Sequence, residues 1–235
     1  VTNADLQGYY RDFYRDKPYE FPTDESAEMI AALKWRGKAV LEIGCGEGAL
    51  ASMIAEQGAD ITACDYALPE NRAPGPKYDP RDFRLIFGQF DSVVMNGVLE
   101  HFEKPYDTLE FIRDRYEPGE IINASPSFLN PRGYVWMALQ LLFDVPMSLT
   151  DIHFICPFDM EEWAKSLGAD LEYWSVDQER GHGEPLLVDF EKRLTNALKD
   201  REANVPAFLE WLRKTVDYTS YAKFSGANVV YRLTF

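Results

Sequence analysis

The amino-acid sequence predicts an α/β fold, a doubly wound and mostly parallel sheet. Three observations predict it. The apolar run Val40-Leu41-Glu42-Ile43 breaks on Gly44-Cys45-Gly46-Glu47-Gly48 and passes into a helical pattern. A second apolar run, Ile61 to Cys64, stops on Asp65, 21 positions after Gly44. A third, Phe90 to Met95, has the composition of a strand buried on both faces. Strand, glycine turn, helix and acid-ended strand make the first βαβ half of a nucleotide-binding sheet.

The elements follow in order. Ser26–Leu33 reads as a helix capped by Thr23-Asp24. Lys38–Ile43 is the first strand. Ala49–Gln57 is the next helix, because Leu50, Met53 and Ile54 fall on one face and Gly58 stops it. Asp60–Cys64 is the second strand. Between Leu68 and Pro80 lie Pro69, Pro74, Gly75, Pro76 and Pro80, which no regular helix accommodates. The third strand is therefore short, around Lys77-Tyr78. Phe90–Met95 is the fourth strand. Asn96–Glu100 is the turn after it, on the edge where open α/β sheets hold ligands. Pro105–Tyr116 is a helix with Leu109, Ile112 and Tyr116 on one face, and Glu120–Ala124 is the fifth strand. Asp159-Met160-Glu161-Glu162 opens a helix that Gly168 closes. Leu171–Val176 is the sixth strand, residues 185–222 read as two helices, and Ala227–Phe235 is the last strand. The expected organisation is one domain over residues 1–235. Residues 1–37, 125–152 and 185–222 are additions to its sheet.

Composition narrows the function classes. A formal charge of −15 opposes nucleic acid, whose binding depends on Lys and Arg against phosphate. It equally opposes an anionic membrane surface. Three cysteines, Cys45, Cys64 and Cys156, form neither a disulfide framework nor a metal-binding spacing. With no signal peptide and no apolar run of bilayer length, the expectation is a cytoplasmic protein without membrane insertion. Monomer and homodimer both remain open.

Two cofactors fit the glycine frame. Gly44-x-Gly46-x-x-Ala49 satisfies a dinucleotide fingerprint, which would make the chain an NAD(P)-dependent oxidoreductase. Glu42 and Glu47 oppose it, because a pyrophosphate on a helix N-terminus needs positive potential and open N–H groups. S-adenosylmethionine has a sulfonium and an ammonium and no phosphate, so nearby carboxylates favour it. Asp65 stands where a carboxylate can accept from both ribose hydroxyls.

Glu42-Ile43-Gly44-Cys45-Gly46-Glu47-Gly48, Asp65, Phe90-Asp91-Ser92-Val93-Val94-Met95-Asn96-Gly97-Val98-Leu99-Glu100-His101 and Tyr116-Glu117-Pro118-Gly119 complete a pattern. It resembles the class I S-adenosylmethionine-dependent methyltransferases, in particular small-molecule members of the ubiquinone-biosynthesis type. The resemblance runs from about Lys38 to Val176 and includes the last strand. It implies a Rossmann-like sheet of seven strands with the last antiparallel, and S-adenosylmethionine as methyl donor with S-adenosylhomocysteine as product. It implies that Glu42, Gly44, Cys45, Gly46, Gly48, Asp65, Tyr66, Asn96 and Gly97 surround that donor. Asp79-Pro80-Arg81-Asp82-Phe83 resembles the loop that holds the adenine, with Asp79 or Asp82 on the amino group and Phe83 over the ring. The N-terminal segment would close over the donor, Tyr14 and Tyr19 reaching its methionine end.

On the acceptor side His153, which the resemblance places facing the acceptor, is the favoured general base, and His101 in the Leu-Glu-His motif is the second candidate. The segment 125–152 reads as an apolar lid, with Tyr134, Trp136 and Met137 as walls and Arg132 able to pair with an acceptor anion. Asp144, Asp151 and Asp159 are scattered along the chain, so no metal is expected. The expected activity is methyl transfer, more readily to oxygen than to nitrogen or carbon, on a small-molecule acceptor. The rivals are the oxidoreductase and a non-catalytic protein that binds S-adenosylmethionine for regulation.

Overall fold

A computed structural model describes residues 8, 24–145, 151–198, 204–216 and 226–235. Tyr14 and Tyr19 lie outside them. The sheet has seven strands, β1 (Ala39–Ile43), β2 (Asp60–Cys64), β3 (Lys77–Asp79), β4 (Ser92–Asn96), β5 (Glu120–Pro126), β6 (Asp170–Val176) and β7 (Asn228–Thr234), in the order β3-β2-β1-β4-β5-β7-β6. β7 runs antiparallel between β5 and β6, and the other pairings are parallel. The fold is the doubly wound one the sequence predicts.

Helices cover both faces. α1 (Glu25–Ala31) and α2 (Ala49–Glu56) bury Ile30, Leu50 and Ile54 against Val40, Val94 and Ile122. α3 (Pro105–Tyr116) and α5 (Pro157–Leu167) bury Leu109, Ile112, Met160 and Leu167 against Leu41, Val93 and Ile121. Neighbouring strand residues thus serve opposite faces, as the two-residue period of a strand requires. α4 (Pro131–Phe143), between β5 and α5, begins at Asn130, whose side chain accepts from Gly133 N–H at 2.8 Å. After β6 come α6 (Gln178–His182), α7 (Glu184–Ala197) and α8 (Val205–Val216). Trp136 of α4, Phe190 of α7 and Leu212 of α8 share a third apolar cluster.

The proline-rich stretch between β2 and β3 forms no helix. It folds back over the glycine turn. Ala73 N–H donates to the Glu47 carbonyl at 2.8 Å, Ser52 Oγ to the Pro74 carbonyl at 2.8 Å, and Tyr78 Oη to the Ala73 carbonyl at 2.6 Å. The order in which strands are added reverses between the parallel neighbours β1 and β4. The crevice that open sheets use for ligands therefore falls beyond the carboxyl ends of those two strands.

Candidate active site

That crevice is lined by Gly44, Asp65, Tyr66, Asp82, Phe83, Asn96, Gly97 and His101, eight of the residues singled out from sequence. Ile43, Cys64, Arg81, Val98 and Phe102 also line it and were missed. Val98 and Phe102 flank the motif that marks Asn96 and His101. They could have been found as the apolar partners of that turn.

The floor is the glycine turn. Gly44, Gly46 and Gly48 all have positive φ, at 71°, 50° and 80°. Main chain in this region costs other residues energy and suits glycine. At Gly44 the space is also taken, since a Cβ there would lie 2.4 Å from Val98 Cγ2. Gly44→Ala should therefore lower stability by about 2–4 kcal/mol, from backbone strain and overpacking. Urea denaturation compared with the wild type checks it.

The turn's amides are committed inside the protein. Gly44 N–H and Cys45 N–H both donate to the Cys64 carbonyl, at 2.8 and 3.1 Å. Gly48 N–H donates to the Cys45 carbonyl at 2.8 Å. Gly46 N–H donates to Asp65 Oδ2 at 3.0 Å, while Ala67 N–H donates to Asp65 Oδ1 at 2.7 Å. Asp65 is thus fixed at the end of β2 by the turn it faces. Burial raises its carboxyl above the usual range, and the two main-chain donors oppose that.

Beneath the turn lies Glu42, fully buried on β1. Burial, helped by the charge of Asp65, pushes its carboxyl up to about 8, against a hydrogen bond from the main chain of Ala51 in the first turn of α2. Its Oε2 has no hydrogen-bond partner. The same burial and acids raise the Cys45 and Cys64 thiols, which makes them small packing residues and poor nucleophiles.

At the other end of the crevice the two candidate adenine acids separate. Asp79 is engaged by Arg81, whose Nε and Nη2 approach within 2.9 and 2.6 Å, and this holds its carboxyl below the usual range. Asp82 lines the crevice and caps the short 3₁₀ turn Phe83–Leu85, accepting from Arg84 N–H at 2.8 Å.

The histidines are placed differently. His101 lines the crevice, and its Nδ1 is 3.6 Å from Asp151 Oδ1. His153 is outside the crevice lining, and its Nε2 lies 3.0 Å from the Glu103 carbonyl, to which it donates. Of the four candidate acceptor residues, Arg132 and Trp136 sit together beside α7. Arg132 Nε donates to Asp189 Oδ2 at 2.9 Å, and Arg132 and Arg193 stand 4.8 and 4.7 Å from the Trp136 ring centre. Tyr134 is exposed, and Met137 packs against the third apolar cluster.

The donor atoms of Glu100, His101 and Asp151 fall within 4.8 Å of one another. Burial pushes the Glu100 carboxyl up to about 8, so it keeps its proton at neutral pH.

Comparison with known proteins agrees with this fold. The profile of a family described as a methyltransferase domain matches residues 14–176. The chain is 28% identical over 158 residues to the ubiquinone biosynthesis O-methyltransferase of Dechloromonas aromatica (strain RCB), covering 60% of this chain and 68% of that one. Among solved structures it is similar to a cyclopropane-fatty-acyl-phospholipid synthase-like protein from Lactobacillus casei ATCC 334. The TM-score is 0.57 at 16% identity, over all of this chain and 94% of that one. It is also similar to phosphoethanolamine N-methyltransferase 2 of Haemonchus contortus in complex with S-adenosyl-L-methionine. There the TM-score is 0.56 at 16% identity, over 96% of this chain and 59% of that one. With the family profile matched from the N-terminal segment through β6, the chain belongs to the methyltransferase-domain family.

Proposed function

We propose that this chain transfers the methyl group of S-adenosylmethionine to a hydroxyl of a small-molecule acceptor. The observation that carries the reading is the filled glycine turn over buried Glu42 and half-buried Asp65. With Gly44, Cys45, Gly46 and Gly48 N–H groups all engaged and Glu42 reaching the first turn of α2, a diphosphate finds neither donors nor positive potential. A cationic amino-acid tail finds instead Glu42, whose Oε2 still lacks a partner. This disfavours the nicotinamide-dependent alternative. The O-methyltransferase name of the Dechloromonas relative supports oxygen as the acceptor atom.

In this reading Asp65 accepts from the ribose hydroxyls. Asp82 and Phe83 flank the adenine, with Asp79 the alternative acid. Tyr66, Asn96 and Gly97 line the donor's course, while Glu42, Cys45, Gly46 and Gly48 shape the turn. Tyr14 and Tyr19 would cover the methionine end. Arg132, Tyr134, Trp136 and Met137 belong to the acceptor side. His101 and His153 remain the two candidates for the base. Methyl transfer needs the acceptor oxygen in line with the methyl carbon and sulfur, and a base for its proton.

Calorimetry with S-adenosylhomocysteine and NAD separates the readings. The first should bind and the second should not; the reverse result overturns the proposal. Labelled methyl donor presented to a panel of hydroxylated aromatic and aliphatic acceptors then distinguishes an enzyme from a regulatory binder.

Glu42 adds a titration signature. Its carboxyl rests near 8 in the free protein. A bound ammonium favours the ionised form, so binding should release up to one proton at pH 7. Affinity should rise with pH and level off above about 8. Calorimetry in buffers of different ionisation enthalpy reads the proton, and Glu42→Gln should abolish it.

A further inference from the structure

The segment that begins at Asp151 makes two hydrogen bonds to the 3₁₀ turn Leu99–His101 and a third to Glu103 just beyond it. Ile152 N–H and His153 N–H both donate to the Glu100 carbonyl, at 3.2 and 3.1 Å. His153 Nε2 donates to the Glu103 carbonyl at 3.0 Å. These bonds hold the Asp151 carboxylate beside the His101 imidazole, Oδ1 3.6 Å from Nδ1, with only 14% and 15% of the two side chains exposed. Catalytic hydrogen bonds are often long before reactants are bound and tighten in the loaded site.

We infer that His101 is the general base, that Asp151 is its positioning residue, and that His153 is the staple holding Asp151 in place. This rests on the methyl-transfer reading above. With Asp151 accepting from Nδ1–H, the neutral ring is fixed as the Nδ1–H tautomer and Nε2 presents its lone pair. His153 is in the opposite state, because the bond to Glu103 requires Nε2–H.

Neighbouring charges are consistent with this division. Glu100 accepts from Ser125 Oγ at 3.0 Å and is kept protonated by burial and by the charge of Asp151. The negative charge beside His101 is therefore that of Asp151. Arg132 of α4, paired with Asp189, is near enough to feel the charge of Asp151. Asp65, Arg81 and Asp82 line the same crevice as His101. In the step itself the acceptor's hydroxyl proton passes to His101 Nε2 as its oxygen bonds the methyl carbon. The electron pair of the broken C–S bond stays on sulfur, leaving a neutral thioether, and the imidazolium later returns its proton to solvent.

With only three histidines in the chain, ¹⁵N NMR of the histidine-labelled protein tests this directly. His101→Gln and His153→Gln assign the signals. In the protein saturated with S-adenosylhomocysteine, His101 should be the Nδ1–H tautomer and His153 the Nε2–H tautomer. Asp151→Asn should lower the His101 titration midpoint by about one pH unit. With a turned-over acceptor and labelled donor, the same variant should lower kcat by roughly 10²-fold and shift the rate's rising limb to lower pH. Affinity for S-adenosylhomocysteine should stay within about threefold, well inside the tenfold that 1.4 kcal/mol represents. An Nε2–H tautomer at His101, or an unmoved midpoint in Asp151→Asn, overturns the inference. So does turnover that is lost to EDTA and restored by Mg²⁺. Spectra without S-adenosylhomocysteine read the pair even where that ligand fails to bind, and calorimetry reports that separate failure.

Discussion

Asp65→Ala is expected to weaken binding of S-adenosylhomocysteine by about 1.5–3 kcal/mol, roughly 10- to 150-fold, the worth of hydrogen bonds to a charged acceptor. In the proposed reading the residue has two duties. Each of its oxygens already accepts one main-chain N–H, from Gly46 and from Ala67, and each keeps a further lone pair for a ribose hydroxyl. Alanine removes the ribose acceptors and also leaves two largely buried N–H groups unpaired, so the melting temperature should fall as well. Asp65→Asn separates the duties. It keeps the shape and one acceptor, but turns an NH₂ toward one of the two main-chain donors. Calorimetry at 25 °C and a thermal melt measure the two effects. Unchanged affinity in Asp65→Ala would remove this residue from the donor site.

The second large effect is expected at the opposite edge of the sheet. Glu120, buried at the start of β5, accepts from Lys38, from Ser92 Oγ at 2.6 Å and from Arg232 Nε at 2.7 Å. Burial alone would raise its carboxyl, but these three partners together hold it below the usual range. Through one carboxylate the cluster ties β4, β5 and β7 to Lys38, the residue that leads into β1.

Glu120→Ala leaves Lys38 and Arg232 without that partner. Breaking a fully buried pair costs about 3–5 kcal/mol. Here Lys38 and Arg232 keep 32% and 31% of their side chains in water, so about 2–4 kcal/mol is expected. The pH sign follows from the lowered carboxyl. Its contribution is fully present above the ordinary glutamate value of 4.5 and is lost as pH falls below it. Urea denaturation at pH 7 and pH 3 should show a large difference between variant and wild type at pH 7 and a smaller one at pH 3. Equal differences at both pH values would contradict the assignment.

Both residues show how unevenly the sequence reveals the molecule. Asp65 could be read directly, because the stretch from Val40 to Asp65 is a local grammar. Apolar runs, positive-φ glycines and a helical period act over a few residues each, and no distant contact is needed to set them. Glu120 gave no such signal. Lys38 is 82 positions away in sequence and Arg232 112, and only the register of β7 against β5, which pairs Arg232 with Ile122 two positions along from Glu120, brings the guanidinium within reach of the carboxylate.

The catalytic side divides the same way. His101 is marked by its place after the fourth strand, and His153 by its resemblance. Asp151 reads as one acid among several until the chain returns Ile152 and His153 to the Glu100 carbonyl. Arg132 reads as an anion-binding candidate, and the structure brings it to Asp189 of α7, 57 positions on. The loop of prolines after β2 reads correctly as non-helical. That it would fold back onto Glu47 and Gly48 depended on a turn built elsewhere.

The sequence by itself thus determined the sheet's parallel half, the glycine turn, the acid that ends β2 in the crevice and the methyl donor that the resemblance implies. Those features follow from short-range sterics, periodicity and charge. Tertiary structure alone decided which imidazole meets the crevice, which carboxylate stands behind it and which ions lock the sheet's far edge. Such pairs join groups 50 or more residues apart, and their distances are set by the packing of every strand and helix between them.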